Sequence, residues 1–357
     1  MSKFLSGRHA ALHAYTPGEQ PVDMQYIKLN TNESPYPPSP GVIARLGSGQ
    51  ISALNLYPSP DGARIRSKLA EFYGVNAENV IIANGSDELL AFAFLAFCDD
   101  SRHAAFPDIS YGFYPVYAAL YGVPHVQIPL MDDFAINVPD YCGIGKNVIL
   151  ANPNAPTGLA LPLRDVEAIV RSNPDHMVLI DEAYIDFGAE SAVQLTKKYD
   201  NLLVLQTYSK FRSMAGARMA YAIGSAALID DMNKMKFSFN PYNVNRLTQE
   251  LAVAAIEEDG YYRANSAEII RTREKTAAAL RNMGFTMTAS QANFLFAKHP
   301  GIPGADLLHE LRTRGILVRH FDLPRIADYL RITIGTPGQM VTFAAAVRDI
   351  FEKRNLL

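Results

Sequence analysis

Seven short apolar runs, each the length of a strand, alternate with helix-length segments between residues 80 and 224. They are VIIAN (80–84), HAAF (103–106), HVQIPL (125–130), NVILANP (147–153), MVLIDEAY (177–184), LLVLQTY (202–208) and MAYAIG (219–224). Continuous apolar runs mark strands covered on both faces, and helical connections supply that cover when neighbouring strands run parallel. The pattern therefore predicts an α/β fold: a mostly parallel seven-stranded sheet flanked by helices.

Around this block the chain changes character. The first 45 residues are irregular, and PYPPSPG (35–41) is expected to stay non-helical because proline lacks a backbone donor. ARIRSKLAEFY (63–73) has helical spacing with Ile65, Leu69 and Phe72 on one side, and SDELLAFAFLAF (86–97) reads as a helix with Ser86 as its N-cap. Past residue 230 come helices, then the strand-like FTMT, ANFLFAK, ILVRHF and YLRITIG, then a last helix, MVTFAAAVRDIFEKRN. A chain of 357 residues exceeds one ordinary core. The expected division is a large domain over 46–254 and a small α/β domain over 255–357, joined by the N-terminal segment 1–45.

Composition narrows the function. Charged residues make up 19% and the net charge is −3, with no basic run, so nucleic acid is not an expected partner. No apolar run approaches a membrane span, and MSKFLSGRHAALHAY lacks the apolar stretch of a signal peptide, so the cytoplasm is the expected compartment. Cys98 and Cys142 have neither metal-ligand nor redox spacing, and the eight histidines include no HExxH, so no metal site is expected. DFG at 186–188 lacks the glycine-rich loop and HRD motif of a kinase.

In open parallel sheets, ligands gather beyond the carboxyl ends of the strands. Ser86, Asp87, Asn152, Asn154, Asp181, Ser209 and Lys210 all fall there. A lysine becomes a nucleophile when desolvation strips its proton, and an aldehyde cofactor would capture it. A lone Ser-Lys at a strand end otherwise reads as a solvated lysine. Asp181 closes the apolar run MVLID, where a buried carboxylate needs a cation, either a structural ion partner or the ring nitrogen of pyridoxal phosphate. Arg218, the hydroxyls of Thr207 and Ser209, and the backbone donors at Ser86 and Asp87 form a candidate phosphate clamp.

DEAY (181–184), the SK pair at 209–210 with Arg218 after it, and PTG (156–158) resemble the fold-type-I, class II pyridoxal-phosphate aminotransferases. LNTNESPY (29–36), YPSPDG (57–62), NGSDE (84–88) and LRITIGT (330–336) are similar to the histidinol-phosphate aminotransferase branch. The likeness runs from about Tyr15 to the last helix. It implies that Lys210 binds the cofactor covalently and then shuttles the substrate proton, that Asp181 pairs the ring nitrogen, and that Tyr184 bonds the ring's phenolic oxygen. Tyr111 is implied to stack on the ring, although it also fits a plain core aromatic. Tyr57 is implied to reach the neighbouring subunit's cofactor phosphate, which makes a homodimer the active unit. Arg331 and Arg319 are implied to hold the substrate's carboxylate and phosphate, with Tyr15 and Asn32 lining the same pocket. Ala155 stands where the family carries asparagine, so Asn154 or Asn152 is expected to supply that contact, or Tyr184 to carry it alone. The implied reaction joins small amino and keto acids: L-histidinol phosphate and 2-oxoglutarate. The alternatives are an aromatic aminotransferase, a phosphothreonine-type decarboxylase of the same fold, or a non-catalytic scaffold.

Overall fold

The computed structural model describes residues 4–46 and 51–356. In chain order the strands are β1 (Ile27–Lys28), β2 (Val80–Ala83), β3 (Ala104–Pro107), β4 (His125–Ile128), β5 (Asn147–Ala151), β6 (Val178–Asp181), β7 (Leu202–Thr207) and β8 (Ala220–Gly224). They continue with β9 (Thr286–Met287), β10 (Phe294–Lys298), β11 (Ile316–Leu317), β12 (Arg319–His320) and β13 (Leu330–Thr333). All seven apolar runs fall in one seven-stranded sheet of order β2-β8-β7-β6-β5-β3-β4. β3, β4, β5, β6 and β7 are mutually parallel, whereas β8 is antiparallel to both β2 and β7.

That one reversal explains the spacing of Lys210 and Arg218. β7 ends at Thr207 and β8 returns beside it, with Thr207 opposite Ala220. The connecting turn therefore leaves and re-enters the sheet at the same edge, carrying both cations there. Every residue of β2, β3, β5, β6, β7 and β8 is buried, as their unbroken apolar sequence requires, whereas the edge strand β4 is exposed over three of its four positions. Helices cover both faces. In Leu163–Ser172 the buried positions are Val166, Ile169 and Val170, the i, i+3, i+4 stripe of a one-sided helix.

A second, antiparallel sheet has the order β12-β13-β10-β9, and β1 pairs in parallel with β11. The N-terminal segment also lies along β13, whose Thr333 N–H donates to the Leu29 carbonyl at 2.9 Å. Among the described residues no helix is long and apolar enough to cross a membrane.

Three local expectations change, and a fourth, the domain division, meets a helix. ILVRHF is not one strand: it breaks at Val318, so that β11 serves β1 while β12 serves β13. The proline-rich stretch does begin a helix, Pro40–Ala44, because proline at the first helical position loses no intrahelical bond, and Ser39 caps it. Ser86 is not an N-cap. Gly85 holds that position at φ 89°, a left-handed backbone that glycine adopts without strain, and Ser86 is the first helical residue. The expected division at 254/255 falls within the helix Arg246–Glu257.

The turn that carries Lys210 is moored from behind by Arg212. Its guanidinium donates to the Ala255 carbonyl at 2.8 Å, near the end of one helix, and to Asp259 at 2.8 Å, at the start of the next. Rings of Phe72, Tyr208, Phe211 and Tyr262 surround it at 5.2–5.6 Å. Arg263 also pairs with Asp259, so loss of Arg212 leaves the Ala255 carbonyl without this donor and the four rings without their cation. Arg212→Leu is expected to lower the unfolding free energy by about 2 kcal/mol, seen as a lower urea midpoint; an unshifted midpoint would contradict the mooring.

Candidate active site

The carboxyl ends of β2, β5, β6 and β7 and the start of β8 open into a cavity of about 510 Å³. Its floor includes Asp181, 5% exposed at the end of β6. The carboxylate accepts from the Tyr114 hydroxyl at 3.1 Å and from the Ala183 N–H at 3.2 Å. Burial pushes it up to about 6 against those two bonds, and the nearby Asp87 adds to the rise. No cationic side chain pairs with Asp181 among the described residues, so a cation delivered by a ligand would find a prepared partner.

Lys210 enters the same cavity from the β7–β8 turn. Its amine donates to the Thr31 carbonyl at 3.0 Å and lies 5.9 Å from the Tyr184 ring centre. Burial, reinforced by the Arg331 guanidinium, brings it down to about 8, while Glu33 acts in the opposite direction. A neutral amine is a nucleophile and a base, which an ordinary lysine is not at physiological pH.

Tyr184 follows Asp181 by three residues, and its hydroxyl accepts from Asn32 Nδ2 at 2.9 Å. That leaves the phenolic hydrogen free to donate into the cavity. Asn32 is itself fixed, at φ 56°. Its N–H donates to Thr333 Oγ1 at 3.0 Å, the Thr333 hydroxyl donates to its Oδ1 at 2.9 Å, and Asn293 donates to its carbonyl at 3.1 Å.

At another wall, Tyr111 donates to Asp87 Oδ1 at 2.7 Å and Arg218 pairs with Asp87 Oδ2 at 3.3 Å. Burial raises the Tyr111 phenol, so it stays protonated. Arg218 lies against the backbone before the helix Ser86–Phe97: a Cβ added to Gly85 would meet its Nη2 at 2.5 Å. Glycine there therefore brings a guanidinium and the free N–H groups of a helix start together, a combination suited to phosphate. Ser86, Thr207 and Ser209 line the cavity too, the Thr207 hydroxyl donating to Ser209 Oγ at 3.0 Å.

Arg319 and Arg331 stand opposite each other on β12 and β13 and reach the cavity together with Tyr15. Arg331 donates to the Asn30 carbonyl at 3.0 Å, and its buried Nε has no partner. Arg319 donates to the carbonyls of Thr16 at 3.2 Å and Pro17 at 3.4 Å. Tyr15 stacks on Phe113 with centroids 4.2 Å apart.

Three expected residues, Asn152, Asn154 and Tyr57, do not line the cavity. Asn152 accepts from the Leu161 N–H at 2.7 Å instead. Asn154 turns away to accept from Ser110 at 2.7 Å and to donate to the Ile109 carbonyl at 3.0 Å, so it braces the loop; Ala155 faces the cavity in its place. Tyr57 is 77% exposed and stacks on Tyr242 at 4.4 Å, outside this chain's own cavity. Conversely, Tyr114, Glu33 and Phe321 belong to the site or its support and were not singled out from sequence. Tyr114 had a signal, since it follows Tyr111 by three positions, although Tyr111 itself precedes the helix Phe113–Tyr121. Glu33 lines the cavity and pairs with Lys28 at 2.9 Å, a contact with no sequence pattern. Among the described residues no cluster of three or more His, Cys, Asp or Glu is placed to hold a metal.

The sequence model of the family described as aminotransferase class I and II matches residues 24–347. A histidinol-phosphate aminotransferase of Brachyspira hyodysenteriae is 47% identical over 353 residues, covering 99% of this chain and 100% of that one. A histidinol-phosphate aminotransferase of Bradyrhizobium diazoefficiens is 47% identical over 350 residues, covering 98% and 100%. The crystal structure of histidinol-phosphate aminotransferase from Sinorhizobium meliloti in complex with pyridoxal-5'-phosphate shares the fold, with a TM-score of 0.84 at 21% identity and 92% of each chain covered. With a family match over most of its length and relatives this similar from end to end, the chain belongs to the class I and II aminotransferases, in their histidinol-phosphate aminotransferase group.

Proposed function

We propose that this protein transfers the amino group of L-histidinol phosphate to 2-oxoglutarate, yielding imidazole-acetol phosphate and L-glutamate in histidine biosynthesis, as a cytoplasmic homodimer holding pyridoxal 5'-phosphate. The observation that carries this reading is a single cavity lined by a lysine whose pKa burial lowers, a buried carboxylate with no cationic partner, and two arginines with no carboxylate partner among the described residues.

The residues fit the cofactor. Bound pyridoxal phosphate supplies an aldehyde that takes up the amino group and a ring that accepts an electron pair from the substrate's Cα. Asp181 holds the proton on the ring nitrogen; that cation restores the charged carboxylate which burial disfavours. Tyr184 donates to the phenolic oxygen, with Asn32 fixing the direction of its hydroxyl. Arg218, the hydroxyls of Thr207 and Ser209, and the N–H groups at Ser86 and Asp87 would hold the phosphate, and Tyr111 would lie against the ring. Lys210 would take the proton from the substrate's Cα as base and give it back as acid. Arg319 and Arg331 bind the phosphate of one substrate and the distal carboxylate of the other, since planar forks suit both oxyanions. Tyr15 and Asn32 border that end.

The exposed Tyr57 supports the dimer reading. It stacks on the exposed Tyr242, Leu54 and Leu56 of its own segment are exposed as well, and in a symmetric pair it would complete the partner's phosphate site.

Lys210→Ala is expected to abolish turnover and to leave no borohydride-reducible adduct with pyridoxal phosphate; normal transamination by that variant would end the reading. Capture of the cofactor by cofactor-free protein requires the unprotonated amine, so it should rise with pH to a midpoint near 8 instead of the ordinary 10.5, followed by visible absorbance. Arg319→Ala should weaken use of L-histidinol phosphate by about tenfold to a hundredfold while barely changing that of phenylalanine; equal losses would favour an aromatic aminotransferase.

A further inference from the structure

Arg319 and Arg331 present a physical problem. Facing each other across the β12–β13 pair, they are like charges in a position where sheets are ordinarily destabilised. A carboxylate between them would relieve the repulsion, but it would also occupy the donors that an oxyanion ligand needs. Neither arginine has such a partner among the described residues; their protein acceptors are the neutral carbonyls of Asn30, Thr16 and Pro17.

What they share is a ring. Phe321, on the loop after β12, lies 5.5 Å from the Arg319 guanidinium carbon and 5.5 Å from that of Arg331. The negative face of an aromatic ring attracts a cation without using any of its N–H groups. Arg331 has a second ring, Phe294, also at 5.5 Å, whereas among the described residues Arg319 makes this contact with Phe321 alone. Phe321 is itself backed by the cluster of Ile109, Leu130, Phe134, Phe296 and Ile326. Its loop is pinned to the large sheet by Arg325, which donates to Asp108 at 3.2 Å and to the carbonyls of Leu130 at 2.9 Å and Met131 at 2.7 Å. The ring is therefore fixed from outside while its other surroundings are the cavity and two cations.

We propose that Phe321 is a positioning residue for anion recognition, holding Arg319 and Arg331 side by side and unneutralised so that their donors remain free for the substrate's phosphate or carboxylate. This rests on the reading of the cavity as the site of a phosphate-bearing amino donor.

The test is calorimetric titration of inorganic phosphate into the pyridoxal-phosphate-loaded protein, with Phe321→Leu and Phe321→Tyr beside the wild type. Phe321→Leu removes the ring and keeps apolar bulk, so the phosphate Kd should rise about 5- to 30-fold, while Phe321→Tyr, which keeps the ring, should stay within about twofold. The KM for L-histidinol phosphate should rise with the Kd in the leucine variant, and kcat should fall less than KM rises. A phosphate Kd that is unchanged in Phe321→Leu, or equally weakened in both variants, overturns the proposal; so does a wild type that binds no phosphate. Phe321→Met gives the same reading if the leucine variant does not fold. A wild type that binds phosphate but does not transaminate L-histidinol phosphate sinks the proposed function alone, and the phosphate series still decides the role of Phe321.

Discussion

The geometry of the cavity depends on how residues 29 to 33 are stitched between two sheets. Asn32 accepts and donates toward Thr333 on β13, receives Asn293 from just before β10, and gives its own amide hydrogen to Tyr184 beyond β6. One residue earlier, the Thr31 carbonyl takes the amine of Lys210. A short irregular strand thus fixes the distance between the arginine-bearing sheet and the lysine-bearing sheet. It does so with bonds inside the site itself, so the cavity is assembled only when both sheets are in place.

The electrostatics divide along the same lines. The large sheet contributes a buried carboxylate pushed upward and a lysine brought downward, which shrinks the gap between them from both sides. Both shifts have one leading cause, burial that disfavours the charged form. The small sheet contributes permanent cations whose partners are neutral. The two groups with shifted pKa values therefore lie at the end of the seven-stranded sheet, and the permanent cations on the other sheet.

Much of this was legible in the sequence, for a physical reason. Strands covered on both faces leave no room for polar residues, so β5, β6 and β7 announce themselves as apolar runs, and the polar residues at their ends mark the open side. What stayed hidden depends on neighbours distant in sequence. Nothing in ILVRHF says that it must break to serve two partners, and nothing in NPNAPTG says whether Asn154 or Ala155 faces inward. Gly85 outcompeted Ser86 at the helix start because a guanidinium from position 218 needs the space that a side chain would fill. Phe321 is invisible for a related reason: an aromatic residue in a loop gains meaning only when two arginines are seen over it.

The mooring of Arg212 bears on how such an enzyme can repeat its cycle. In the role proposed for Lys210, a side chain that gains and loses a bonded partner at every round must swing without dragging its peptide along. With Arg212 clamped to a helix junction two residues downstream, the backbone beneath Lys210 has a stiff footing. The travel is then confined to the lysine's own aliphatic stem, a tether that moves on a scaffold that does not.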